Sequence, residues 1–119
     1  MSAITRNGHK FNARRTKVDG YNFASHAESA RYLELKMLAK AGEIRGLVLQ
    51  PKYPLHTTDR LTGKAWKIGN YIADFCYIDK DGKSVTEDVK GFLTQIYVWK
   101  RKHVEAEYGI TITEITRGR

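Results

Sequence analysis

Tyr71-Ile72-Ala73-Asp74-Phe75-Cys76-Tyr77-Ile78-Asp79-Lys80-Asp81-Gly82-Lys83-Ser84-Val85-Thr86-Glu87-Asp88-Val89-Lys90-Gly91 is the stretch from which the fold can be read. Two runs rich in β-branched and aromatic residues are joined by Lys80-Asp81-Gly82. A three-residue hairpin loop commonly ends in a glycine in the left-handed conformation, and Gly82 holds that position. Such a loop pairs Asp79 with Lys83, and counting back along both strands brings Asp74 opposite Asp88. Opposed residues on antiparallel strands share a face, with Cβ atoms about 4.5–5.5 Å apart. Alternation adds Lys90 to that face. A two-residue turn would instead put the two aspartates on opposite faces. The other face carries Tyr71, Ala73, Phe75, Tyr77, Val85 and Val89, interrupted only by Glu87, and reads as core.

The hairpin is expected to run from about residue 66 to 90. Upstream, residues 44–55 are strand-like through Leu47-Val48-Leu49, Gln50-Pro51, Tyr53 and Leu55, and residues 57–64 hold the turn formers of a loop. Ser25 stands three residues before Glu28 in a capping-box pattern, which predicts a helix over 26–41 that stops at Gly42. Before it, Asp19-Gly20 supplies the turn of a tight hairpin over 17–23. Residues 1–16 are polar and basic (Lys10, Arg14, Arg15) and form an arm. Downstream, residues 94–108 have helical character closed by Gly109, and 110–115 alternate as a half-buried strand. The order of elements over 17–119 makes one mixed α/β (α+β) domain.

The chain has 119 residues, of which 41% are hydrophobic and 29% charged, a globular composition. No apolar run approaches the roughly 20 residues of a membrane span, and residues 1–10 contain no signal-peptide block. The expected location is the cytoplasm, that of the host if the protein is phage-encoded. The single cysteine, Cys76, excludes an internal disulfide and a cysteine zinc site, and reads as packing. Lysine and arginine total 21 against 13 acidic residues, a formal net charge of +8. That excess favours a polyanionic partner, because neutralising phosphates releases counterions.

Two carboxylates opposed on one sheet face repel, so a purely structural sheet avoids them; a divalent cation between them reverses the sign. Hard oxygen ligands at this spacing suit magnesium or manganese. The plainer alternative makes Asp88 and Lys90 a loose surface pair. Asp74 in Tyr71-Ile72-Ala73-Asp74-Phe75, followed by Asp88-Val89-Lys90-Gly91, resembles the motif of the PD-(D/E)XK nuclease superfamily. A wider pattern is similar to small phage-encoded members of that superfamily. It comprises Lys10-Phe11-Asn12-Ala13-Arg14-Arg15-Thr16, Val18-Asp19-Gly20, Ser25-x-x-Glu28-x-x-Arg31-Tyr32, Leu49-Gln50-Pro51 and Tyr108-Gly109-Ile110.

The resemblance implies a restriction-endonuclease-like core, with a central mixed sheet flanked by helices. It also implies Mg²⁺-dependent hydrolysis of DNA, with Mn²⁺ able to substitute. Asp74 and Asp88 would bind the metal, joined by the Val89 carbonyl, and Lys90 would orient water or stabilise charge at the phosphate. The superfamily more often has glutamate where this chain has Asp88. Glu28 matches the acid that members add from the first helix, although the same residue completes the capping box. Glu34 is a rival, since it lies near the centre of an apolar arc of Ala27, Ala30, Met37 and Leu38, and Gln50 is a weaker candidate at a strand end.

Arg14, Arg15, Lys17, Lys100, Arg101 and Lys102 are candidate phosphate contacts; a solvated helix face is the bland reading of the last three. Trp66 and Trp99 read as core or partly buried aromatics, and His103 as a helix-surface residue. The expected function is a metal-dependent endodeoxyribonuclease, acting on branched DNA in phage replication or recombination, with a homodimer as one arrangement. The alternative is a basic nucleic-acid-binding module without catalysis.

Overall fold

The computed structural model of the chain describes residues 15–116. Arg14 and most of the arm expected over 1–16 lie outside the described residues; Thr16 already belongs to the first strand. The elements follow in the order β1 (Thr16–Val18), β2 (Tyr21–Phe23), α1 (His26–Lys40), β3 (Ile44–Leu49), β4 (Lys52–Thr58), β5 (Ala65–Ile72), β6 (Phe75–Asp79), β7 (Ser84–Lys90), α2 (Gln95–Tyr108) and β8 (Ile112–Thr116). The fold is mixed α+β, as the pattern of elements predicts.

A four-stranded sheet in the order β3-β6-β7-β8 forms the centre, and β1-β2 and β4-β5 form separate two-stranded ribbons. β3, β6 and β7 pair antiparallel, whereas β8 runs parallel to β7. The parallel pair requires a crossover, and α2 supplies it. In the β1-β2 turn both central residues have positive φ, 53° at Asp19 and 82° at Gly20. That is the turn geometry whose twist matches a hairpin.

α1 is capped by the Ser25 hydroxyl, which accepts the Glu28 N–H at 3.2 Å. Its buried residues are Glu28, Ser29, Tyr32 and Leu35, so the packed face is not centred on the apolar arc of Ala27, Ala30, Met37 and Leu38; Leu38 packs at the core's edge, whereas Met37 is 70% exposed. The alanines have little area to bury, while the polar residues of the true face have partners. The Ser29 hydroxyl donates to the His26 carbonyl and the Tyr32 hydroxyl to Asp19. α2 is capped by the Thr94 hydroxyl and closed by Gly109 at φ 67°, a left-handed position that glycine takes without a Cβ penalty.

Two cores lie on opposite sides of the central sheet. Phe23, Tyr32, Leu35, Ile44, Phe75 and Tyr77 pack under α1. Leu55, Tyr71, Ala73, Tyr97, Val104 and Ile112 pack under α2 and the β4-β5 ribbon. The single hairpin expected over 66–90 is therefore two structures. β5 belongs to the ribbon with β4, β6 belongs to the central sheet, and Ala73-Asp74 joins them. Tyr71 and Ala73 face α2, whereas Phe75, Tyr77, Val85 and Val89 face α1, which corrects the one-face reading. The strand expected over 44–55 is likewise split, because Gln50 adopts φ 54° ahead of Pro51.

Candidate functional site

The register between β6 and β7 runs as the Gly82 loop predicts: Ile78 pairs with Ser84, Tyr77 with Val85, Cys76 with Thr86 and Phe75 with Glu87. At Asp74 it departs. The Asp74 N–H also donates to the Glu87 carbonyl, at 3.0 Å, so two consecutive residues face one, which is the arrangement of a β-bulge. An inserted residue reverses the alternation of faces. The bulge explains why Ala73 and Phe75, two apart, enter different cores, and why Asp74 is not simply opposed to Asp88.

Asp74 instead lies on the side of α1, where its carboxyl shares a hydrogen bond with Glu28. Its Oδ2 accepts the Val89 N–H at 2.7 Å, and its main-chain carbonyl accepts the Gln50 N–H at 2.9 Å. Gln50 thus reaches Asp74 through its backbone, from a positive-φ conformation that a residue before proline rarely takes. The Glu28 carboxyl has left the capping box: Ser25 completes its half, while Glu28 turns to Asp74 and to the Ala24 N–H.

Asp88 and Lys90 share the α2 side with Thr86, as alternation requires. Asp88 is 2% exposed, and its Oδ2 has no hydrogen-bond partner among the described residues. The Lys90 ammonium lies 4.1 Å from the centroid of the Tyr97 ring, a cation–π contact that orients it without neutralising it. Tyr97 is held in turn by its hydroxyl, which donates to Glu114 at 2.8 Å. Asp88, Lys90, Asn70, Tyr71, Tyr97 and Lys100 line a cavity of about 340 Å³. Asn70 Oδ1 and the Tyr71 hydroxyl are also buried without partners. Three orphaned polar atoms at one cavity are a concentration that packing alone does not explain.

Burial dominates the electrostatics. It pushes the Asp88 carboxyl up to about 6 against the pull of Lys90 and of the Asp74 N–H. Burial, reinforced by the charge and hydrogen bond of Asp74, pushes Glu28 up to about 7. Burial also raises Asp74, opposed by the Val89 N–H, the charge of Lys90 and the bond to Glu28. Both carboxyls of the Glu28–Asp74 pair are therefore easier to protonate than free ones. Among the described residues no three His, Cys, Asp or Glu side chains converge as a ready-made metal cage.

The remaining candidates scatter. Glu34 is exposed and pairs with Arg31 at 3.0 Å, away from the carboxyl cluster. Arg15 and Lys17 are exposed at the β1 end, and Lys100 and Lys102 on α2. Arg101 lies 3.2 Å from Glu114 and 3.5 Å from Glu105. Trp66 and Trp99 are 55% and 60% exposed, so of the two expectations for them, core or partly buried, the core is excluded. His103 is half-buried, its Nε2 2.9 Å from the His56 carbonyl oxygen.

Sequence reasoning missed the group that locks α1 to the sheet. Arg31 grips Glu87 with two bonds, of 2.9 and 2.6 Å, and the Tyr77 hydroxyl donates to the same carboxylate. The signal was present, since Glu87 interrupts an otherwise apolar face and such an acid needs a buried cation. Tyr97, which cradles Lys90, carried no signal beyond helical periodicity.

Among the described residues no helix is long and apolar enough to cross a membrane. Comparison with curated proteins finds no match. A family profile described as a protein of unknown function matches residues 8–118, nearly the whole length. The bulged Asp74 and the Asp88-Val89-Lys90 strand end lie inside that match, and the chain belongs to the DUF1064 family.

Proposed function

We propose that the protein is a Mg²⁺-dependent deoxyribonuclease that hydrolyses phosphodiester bonds at Asp74, Asp88 and Lys90, in the manner of PD-(D/E)XK enzymes. The observation that carries this reading is the buried Asp88 carboxyl, whose Oδ2 has no partner among the described residues, beside the Lys90 ammonium and the Asp74 main chain. Burying an unpaired carboxylate costs several kcal/mol, and a hard cation is the chemical group that offsets it. The site's oxygen donors suit a hard cation: Asp88 and the Val89 carbonyl would hold Mg²⁺ or Mn²⁺, joined across the bulge by Asp74, whose Oδ2 is bonded to the Val89 N–H and whose partner Glu28 feels the Asp88 charge, leaving positions for water as Mg²⁺ prefers. When bound, the ion would polarise a phosphoryl oxygen and acidify a water.

The chain's own groups supply the rest. Lys90, held against Tyr97, presents its ammonium where negative charge grows on the phosphate. Glu28, with its pKa near neutrality, can take up and return a proton beside Asp74. Lys100 on the cavity wall offers a second phosphate contact. The test is cleavage of labelled DNAs (duplex, nicked, flap, four-way junction, single strand) with Mg²⁺, Mn²⁺ or EDTA. Metal-dependent cutting lost in Asp74→Ala, Asp88→Ala and Lys90→Ala is expected. Salt-sensitive binding without cutting under any metal would make the protein a basic binding module instead.

A further inference from the structure

The cavity that holds Asp88 and Lys90 has an unusual outer wall. Ile72 of β5 and Ile96 of α2 line it together with Lys100. Lys100 also lines the adjoining depression, with Ile68 and Trp99. The two hollows share Lys100 as a wall, and Ile68, Ile72, Ile96 and Trp99 are each more than half exposed, at 57%, 54%, 59% and 60%. A cluster of exposed apolar side chains marks an interaction site, and this one begins beside Asp88 and Lys90.

A paired duplex has little to offer such a wall, because it hides its base faces in the stack and shows phosphates and groove edges. An unpaired base has a free π-face for an indole, and its phosphate can reach a neighbouring cation. A second copy of the chain would fit less well. A two-fold contact places the same patch on both subunits and would bring together two copies of the Lys100 patch on a chain of net charge +8. We propose that Trp99, flanked by Ile68 and Ile96, is a stacking platform for an unpaired nucleobase. The substrate is then DNA with an unpaired strand, single-stranded or flapped, beside the scissile phosphate. This rests on the nuclease reading above and names its substrate class.

The experiment uses Trp66→Phe, which leaves Trp99 as the only tryptophan of the two in the chain. In EDTA, oligothymidylate should quench its emission and a blunt duplex of equal length should not. Trp99→Ala should weaken single-strand binding by roughly 5- to 100-fold and leave duplex binding unchanged; Trp99→Phe should retain most of it. Equal quenching by duplex, or no effect of Trp99→Ala, would overturn the platform. So would a sedimenting dimer that Trp99→Ala dissociates, since a second copy would then own the face. Cleavage assays with Mg²⁺ separate the two claims. Cutting of blunt duplex that needs Asp88 but not Trp99 removes the platform and leaves the nuclease. Trp99-dependent single-strand binding with no cutting of any substrate supports the platform and removes the nuclease.

Discussion

In the proposed nuclease Asp88 would serve the chemistry at the expense of the fold. Its carboxylate is buried and Oδ2 is unpartnered, so its charge opposes folding when no cation is present. Asp88→Asn should therefore cut DNA hydrolysis by about 100-fold or more while leaving metal-free stability unchanged or about 1 kcal/mol higher. Differential scanning calorimetry in EDTA reads this directly, and a clear fall in Tm would show that the charge is already satisfied within the protein. The same burial sets a pH dependence. Glu28 is pushed up to about 7 and Asp88 up to about 6, so the folded state binds more protons than the unfolded state above their ordinary values. Stability then falls as pH rises: the contribution is full below the unfolded pKa values and lost as pH climbs through about 6 to 7. The exposed carboxyls with lowered pKa, Asp19, Asp59 and Glu107, work in the opposite sense. Their contribution disappears only as pH falls through the acid range, outside this window. Metal-free protein should melt lower at about pH 8 than at about pH 5, and Mg²⁺ should raise Tm more at the higher pH because it competes with protons. A Mg²⁺ shift that ignores pH would mean that the ion binds elsewhere.

The elements bring these residues together through two devices, the bulge at Asp74 and the clamp from Arg31 to Glu87. The clamp is a bidentate ion pair, with Glu87 only 1% exposed, and it fixes α1, hence Glu28, against β7. Arg31→Leu strands a buried carboxylate and should cost about 3–5 kcal/mol in urea unfolding. Combining it with Glu87→Leu should recover more than half of that loss, because no unpaired charge is left. A double variant no more stable than Arg31→Leu alone would assign the loss to helix packing. These devices also mark what a sequence can disclose. Ser25, Gly109 and the Asp19-Gly20 turn are local signals, each decided by the backbone within a few residues, and each forms as read. The Gly82 loop sets the β6–β7 register for the same reason. The bulge has no local signature; it arises because β5 leaves the central sheet to pair with β4, a partner choice made over long range. The packed face of α1 was hidden too, since Glu28 is buried and Arg31 half-buried against partners on distant strands, and hydropathy counts both as solvent-facing. So the nearness of Asp74, Asp88 and Lys90 at the end of β7 was legible, while the bulge that turns Asp74 towards α1 was not.

At the scale of the whole molecule, not all of the 21 lysines and arginines are free to meet a nucleic acid. Lys36 is paired with Asp19 at 2.5 Å and Lys80 with Glu43 at 3.1 Å. Within Lys100-Arg101-Lys102, the arginine faces inward to Glu105 and Glu114 and helps to hold the Tyr97 side of the cavity, while the two lysines are exposed. Adjacent cations on one helix thus have different jobs, and salt dependence separates them. A lysine that neutralises a phosphate releases counterions, so its removal flattens the slope of log affinity against log salt by roughly 0.7–0.9. Lys100→Ala should show that flattening at the DNA concentrations where the parent protein binds. Arg101→Ala should leave the slope nearly unchanged and instead lower Tm, because Glu114, next to Asp88 in the sheet register, loses its countercharge. The reverse pattern, a flattened slope for Arg101→Ala and none for Lys100→Ala, would move the nucleic-acid track off the cavity wall and onto the far side of α2.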